Sequence, residues 1–313
     1  MRYLPLAALF VLIAGPAAAF DPAVLQSVVT VLPVRDRDAP RGPAGDIRAE
    51  ERSGSGVVIR PGGYIATNFH VIAAARAVSV RLADGRELPA EVVGRDDATD
   101  IALLKVAEAL PPLKMGREPP LGAPVCSVSD PFGVGLSVTC GVVSAVRRTG
   151  MGFNRIEDFI QTDAVLNPGS SGGALVDGTG ALVGLVAAIF TRSADANIGV
   201  NFAISAALLT RVADDLIAHG RVIESDVRLS LVPLPPSERR KQAGLRVGPV
   251  TTGDAEVRAG LEPGDIVTAI AGRAMRKPGD ALTALYLQRP GDRVPVAIRR
   301  GGQEKTLTLE IPR

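Results

Sequence analysis

Between Gly56 and Phe202 the chain is a succession of short β-branched runs: "GVVI", "AVSVRLA", "AEVVGR", "IALLKV", "APVCSVS" and "LSVTCGVVSAV". Turn signals such as Pro61-Gly62-Gly63 and Asp84-Gly85 separate them. Runs this short and this evenly spaced exclude βαβ units and predict an all-β barrel or sandwich. With hydrophobic residues at 46%, aromatics at 4% and no Trp, the core must be aliphatic. The 35 basic and 33 acidic residues nearly cancel, which argues against the concentrated basic face of a nucleic-acid binder.

The period changes at "SAALLTRVADDLIAHG", where Ala206, Leu209, Val212, Leu216 and Ile217 share one helical face. Ser205 stands at the N-cap position and Gly220 where the helix should stop. His219, at the end of this helix, suits its negative pole. A boundary falls in Arg221 to Ser225, giving one block over 20–222 and a second unit over 225–313. In the second unit "LRVGPV", "DIVTAIAG", "RVPVAIRR" and "KTLTLEI" read as strands, and "GDALTALYLQ" as a helix capped by Asp280.

The start of the chain is a targeting signal over 1–19: Arg2, an apolar run, then Ala17-Ala18-Ala19 as a cleavage pattern. The alternative is an uncleaved anchor, but Pro16 interrupts the apolar run and leaves it short for a span. Export permits disulfides. Cys126 and Cys140 flank "DPFGVGL" symmetrically, a spacing that fits a bridge across a hairpin or two buried thiols. Two Cys and two His build no metal site.

Acyl transfer needs a nucleophile, a base, a group that orients the base, and N–H donors for the oxyanion. "NPGSSGGAL" supplies Ser171 in a turn whose glycines allow sharp bends, with Gly169, Ser170 and Ser171 as the oxyanion loop. His70 lies in "IATNFHVIAAA" at a strand end. Asp100 abuts the apolar strand Ile101 to Val106; Asp96 and Asp97 are rivals in the same loop. The order His70, Asp100, Ser171 is that of chymotrypsin-type proteases.

"TNFHV", "DIALLKV", "DPFGVGLSVTCGVVSA", "FIQTDAVLNPGSSGGALV" and "GVNFAIS" resemble the HtrA (Deg) family of PDZ-bearing serine proteases. The resemblance implies a mainly β fold, a chymotrypsin-like double barrel followed by one PDZ-like domain. It implies His70 as general base, Asp100 as its orienting carboxylate and Ser171 as nucleophile, with backbone donors from Gly169 and Ser171. It further implies an exported, periplasmic endopeptidase acting on unfolded polypeptides without cofactor or ATP. A homotrimer assembled through "FDPAVLQSVVTV", with Phe20, also follows from it. Ile189 and Phe190 would line the pocket before the scissile bond, favouring a small or medium aliphatic side chain. Three departures stand out. Ser170 replaces the family's Asn, a position expected to contribute mainly backbone. "GLVAAIF" lacks the usual polar side chains at Val186 and Ala187. In "VRLSLVP", Ser230 replaces a Gly in the stretch Arg228, Leu229, Ser230 and Leu231 that would hold a peptide carboxylate. The rival reading is a proteolytically silent chaperone or peptide-binding scaffold on the same fold.

Overall fold

The computed structural model describes residues 20–35, 53–189, 199–225, 227, 229–250, 257 and 259–312. The targeting signal, Phe190 and Arg228 lie outside them, as does the side chain of Ile189. Among the described residues no helix is long and apolar enough to cross a membrane.

Six strands close the first barrel: β1 (Val28–Val34), β2 (Gly54–Arg60), β3 (Tyr64–Asn68), β4 (Ala77–Arg81), β5 (Glu87–Asp96) and β6 (Ile101–Lys105). They run in the order β1-β2-β3-β6-β5-β4. A second barrel repeats that order with β7 (Pro124–Ser129), β8 (Ser137–Arg148), β9 (Phe159–Thr162), β10 (Ala174–Asp177), β11 (Leu182–Ile189) and β12 (Asn201–Ser205). Closure removes sheet edges, and bulges supply the bending. Register shifts occur at Val58/Arg60, Val92/Gly94 and Val186/Ala188. The apolar run "IALL" of β6 is wholly buried, because one side faces the barrel interior and the other the neighbouring elements.

Helix α2 (Ala206–His219) follows the one-turn helix α1 (Phe69–Ile72) in chain order. It packs on β5 and β6 of one barrel and on β11 and β12 of the other, burying Leu208, Leu209, Val212 and Leu216. Ser205 caps it, accepting the Leu208 N–H at 3.2 Å, and Gly220 ends it in the left-handed conformation at φ 68°. Cys126 and Cys140 face each other across β7 and β8 and are joined as a disulfide, with Cys140 exposed.

The C-terminal unit holds a sheet of β13 (Leu231–Pro233), β14 (Leu245–Val247), β15 (Ile266–Ile270), β16 (Arg273–Ala274), β17 (Arg293–Arg300) and β18 (Gln303–Glu310). The helices α3 (Pro236–Arg239) and α4 (Pro278–Tyr286) join it. Asp280 is not the first cap residue of α4, as the sequence suggested. It is the third helical residue, and its carboxylate reaches back to the N–H groups of Arg276 (2.8 Å) and Lys277 (3.2 Å). Side chains near or on α4 also fasten this unit to the second barrel. Asp280 accepts from the Thr149 hydroxyl at 2.8 Å, Thr283 donates to the Glu157 carbonyl at 2.7 Å, and Arg273 pairs with the buried Asp158. Tyr286 enters the core shared by the two barrels.

Candidate active site

His70 is set by the turn that ends β3. The Phe69 N–H donates to the Asp100 carbonyl at 3.1 Å, and the Asn68 side-chain amide donates to the same oxygen at 2.9 Å. The Asp100 carboxylate takes the His70 backbone N–H at 2.9 Å and meets ring Nδ1 at 2.7 Å. One aspartate therefore fixes both the backbone and the ring. It does so from a left-handed conformation, φ 60°, which Asp tolerates better than most residues. With Nδ1 engaged as the donor, Nε2 is left as the acceptor. The carboxylate side chain is 13% exposed and the imidazole 51%. Neither rival engages the ring: Asp96 accepts from the Thr99 and Tyr286 hydroxyls at 2.5 and 2.7 Å, and Asp97 is exposed.

Ser171 sits in the loop before β10. Residue 172 has φ 84° and its Cα lies against the Ser55 carbonyl and the Thr67 hydroxyl. A Cβ has no room there, so only Gly fits. The Ser171 carbonyl accepts the Ser55 N–H at 2.7 Å, and its hydroxyl points to the Ala187 carbonyl at 3.4 Å. That carbonyl lies at the β11 bulge, between the paired residues Val186 and Ala188. The hydroxyl makes no hydrogen bond to His70 in this arrangement. The two sites nevertheless adjoin. A Cβ built on Gly54 would stand 2.6 Å from Val71, the residue after His70, and 3.2 Å from the Ser171 carbonyl.

The N–H groups of Gly169 and Ser171 have no acceptor among the described residues, whereas the Ser170 N–H closes a turn onto the Asn167 carbonyl at 2.9 Å. Ser170 thus offers no donor to a substrate oxygen. Nor does it act through backbone alone: its buried hydroxyl accepts from Ser129 Oγ at 3.1 Å and the Asn167 N–H at 3.3 Å. The loop is braced further by residues that the sequence reading passed over. Ser55 Oγ donates to the Gly169 carbonyl at 2.8 Å and accepts the Asp130 N–H at 2.9 Å. The Phe132 N–H donates to the Pro168 carbonyl at 2.8 Å. The available signal for Ser55 was a polar residue between two glycines at the head of an apolar strand.

A cleft of about 830 Å³ opens here, lined by His70, Asp100, Ala187, Phe153, Asn154 and Glu224 among others. Phe153 stacks edge-on to Phe159, centroids 6.0 Å apart, and gives the cleft an aromatic wall. Among the described residues no cluster of His, Cys, Asp and Glu is arranged for a metal ion. In the C-terminal unit, the Leu231 N–H donates to the Leu229 carbonyl at 2.9 Å and the Ser230 carbonyl accepts the Gly248 N–H at 2.7 Å. The Leu231 N–H is therefore already engaged within its own loop.

Residues 54–185 match the trypsin-like peptidase domain family and residues 221–311 the PDZ domain family. The periplasmic serine endoprotease DegP of Salmonella typhimurium is 35% identical over 273 residues, 82% of this chain and 56% of that protein. The periplasmic pH-dependent serine endoprotease DegQ of Escherichia coli is 34% identical over 271 residues, 83% of this chain and 59% of its own length. The chain thus spans a little over half of these curated relatives. Among solved structures, the HtrA-type protease AlgW with a tripeptide shares 35% identity, with a TM-score of 0.69, 93% of this chain covered and 94% of that one. A serine endoprotease from Yersinia pestis matches at 32% identity and a TM-score of 0.58, covering 93% of this chain and 96% of its own.

Proposed function

Because this chain belongs to the HtrA (Deg) family of trypsin-like, PDZ-bearing serine endoproteases, we propose that it is an exported endopeptidase that cleaves unfolded polypeptides through an acyl-enzyme. The observation that carries this reading is the His70–Asp100 pair at 2.7 Å, opening on the same cleft as the Ala187 carbonyl beside Ser171. Rotation about its Cα–Cβ bond takes the Ser171 hydroxyl from that carbonyl toward Nε2 of His70. His70 then accepts its proton as Oγ attacks the scissile carbonyl, and Asp100 stabilises the imidazolium. The Gly169 and Ser171 N–H groups stabilise the oxyanion. His70 returns the proton to the leaving amine, and water hydrolyses the ester. No cofactor takes part.

The cellular reading is the periplasm, in line with the curated relatives named periplasmic and with the Ala17-Ala18-Ala19 signal. The assembly is a homotrimer joined through the segment containing Phe20. Ile189 and Phe190 favour an aliphatic residue before the scissile bond. A carboxylate ligand that takes the Leu231 N–H must first displace the Leu229 carbonyl from it.

The decisive comparison is digestion of a denatured protein by the parent and by Ser171→Ala, with product termini read by mass spectrometry. The expected loss is on the order of 10³-fold or more. Equal digestion by the two proteins overturns the nucleophile assignment. Absence of fluorophosphonate labelling, repeated with heat and added peptide, points to the silent scaffold instead.

A further inference from the structure

Two openings flank the nucleophile loop. One is the cleft containing His70. The other, about 450 Å³, lies between β1, the end of β4 and residues 130–136. Its apolar walls include Leu82, Val134 and Leu136, and its polar side chains are Thr30, Arg81 and Asp130. Asp130 is 1% exposed. Its carboxylate is occupied by the Thr30 hydroxyl and by the Gly135 N–H at 2.7 Å. Arg81 differs: it is half-buried and has no hydrogen-bond or ion-pair partner among the described residues. A guanidinium stays charged at any relevant pH, and its planar fork matches a carboxylate. Of the two charged side chains in this lining, Arg81 is thus the one left free to pair with a ligand.

The cavity's wall is also the support of the nucleophile loop. A Cβ on Gly169 would lie 2.6 Å from the Asp130 carbonyl and 2.8 Å from the Phe132 nitrogen. The nucleophile loop thus meets β11 at Ser171, beside the Ala187 carbonyl, and residues 130–132 at Gly169. A small inorganic anion would satisfy Arg81 but leave Leu82, Val134 and Leu136 uncovered. An extended chain with an acidic residue beside apolar ones covers both.

Resting on the proteolytic reading above, we propose that this second cavity is a substrate subsite on the leaving-amine side of the scissile bond, in which Arg81 selects an acidic side chain. Two fluorogenic peptides test it, identical up to the scissile bond and carrying a Glu-containing or a Gln-containing tail beyond it. For the parent, kcat/KM should favour the Glu tail about 3- to 10-fold, the range of a partly desolvated ion pair. The ratio should fall to about 1 in Arg81→Gln and invert in Arg81→Glu, and the parent's preference should shrink as salt rises. Fluorescence anisotropy with Ser171→Ala, with and without Arg81→Gln, reads the same tail preference as a ratio of Kd without turnover. Equal tails for the parent, or a Glu preference that survives Arg81→Gln, overturn the subsite. Cleavage by Ser171→Ala overturns the proteolytic reading alone, and the anisotropy ratio still decides the subsite.

Discussion

The two barrels have the same strand order, yet they hold their share of the cleft in different ways. The first barrel is self-sufficient: Asp100, at the head of β6, fixes the His70 turn and ring through contacts internal to that barrel. The second barrel delegates. Its nucleophile loop is supported by Ser55 and Thr67 from the first barrel and by residues 130–136 at the tip of its own β7–β8 hairpin. The base is thus built in, while the nucleophile depends on its surroundings, and its hydroxyl rests on the Ala187 carbonyl rather than on the imidazole.

The sharpest way to break this contrast is Asp100→Asn. Asn adopts the left-handed backbone as readily as Asp, so the fold should persist while the wrong His70 tautomer is favoured. The expected fall in kcat is on the order of 10⁴-fold; a loss below tenfold would show that the first barrel holds its base by other means. Next comes the double change Cys126→Ser with Cys140→Ser. The bridge spans a sequence separation of 14, and losing it should cost about 3 kcal/mol of stability, seen as a lower urea midpoint. An unchanged midpoint would mean that the hairpin behind the nucleophile loop needs no fastening. Ser55→Ala is smaller again. It strands the buried Asp130 N–H, a cost of roughly 1–3 kcal/mol, and frees the Gly169 carbonyl. Activity should drop about 10-fold while fluorophosphonate labelling slows in parallel; full activity would refute the dependence of the second barrel on the first.

The mildest effect comes from acid and extends the comparison to the third unit. Burial pushes the Asp215 carboxyl up, but Arg211, the Ile223 N–H and Arg289 outweigh it and hold it below 3.8. Burial likewise raises Asp265, and Arg300 with the Glu262 N–H brings it below 3.8. A depressed carboxylate stabilises the fold above its ordinary value and loses that contribution as pH falls toward the lower folded value. Thermal midpoints should therefore decline below about pH 3.8, and Asp265→Asn should flatten that part of the profile.

Much of this was legible in the residues. Short β-branched runs between turn signals mark the barrels, Ser205 and Gly220 bracket α2 as caps, and Asp100 is singled out among three aspartates because it abuts an unbroken apolar strand. What escaped was non-local. Ser55 meets Gly169 across 114 residues, and no periodicity encodes such a bond. Ser170 offered glycine-flanked flexibility but no hint that its N–H would close onto Asn167. Asp280 carried the right chemistry at the wrong helix position, because capping from the third residue and from the first look alike in a string. The cysteine spacing left a bridge and free thiols equally open, and the register of β7 against β8 brings the two residues face to face.

The contact between Arg273 and Asp158 bears on how such a chain can be dissected. Asp158 is 1% exposed, and its guanidinium partner comes from beyond residue 222. A fragment ending there would lose that guanidinium, keep only the Ser205 hydroxyl as a partner for Asp158, and uncover the surface around it. Inactivity of that fragment would then report damage from the cut itself, and a scissor-free design that neutralises both members together is the cleaner instrument for asking what the C-terminal unit tells the barrels.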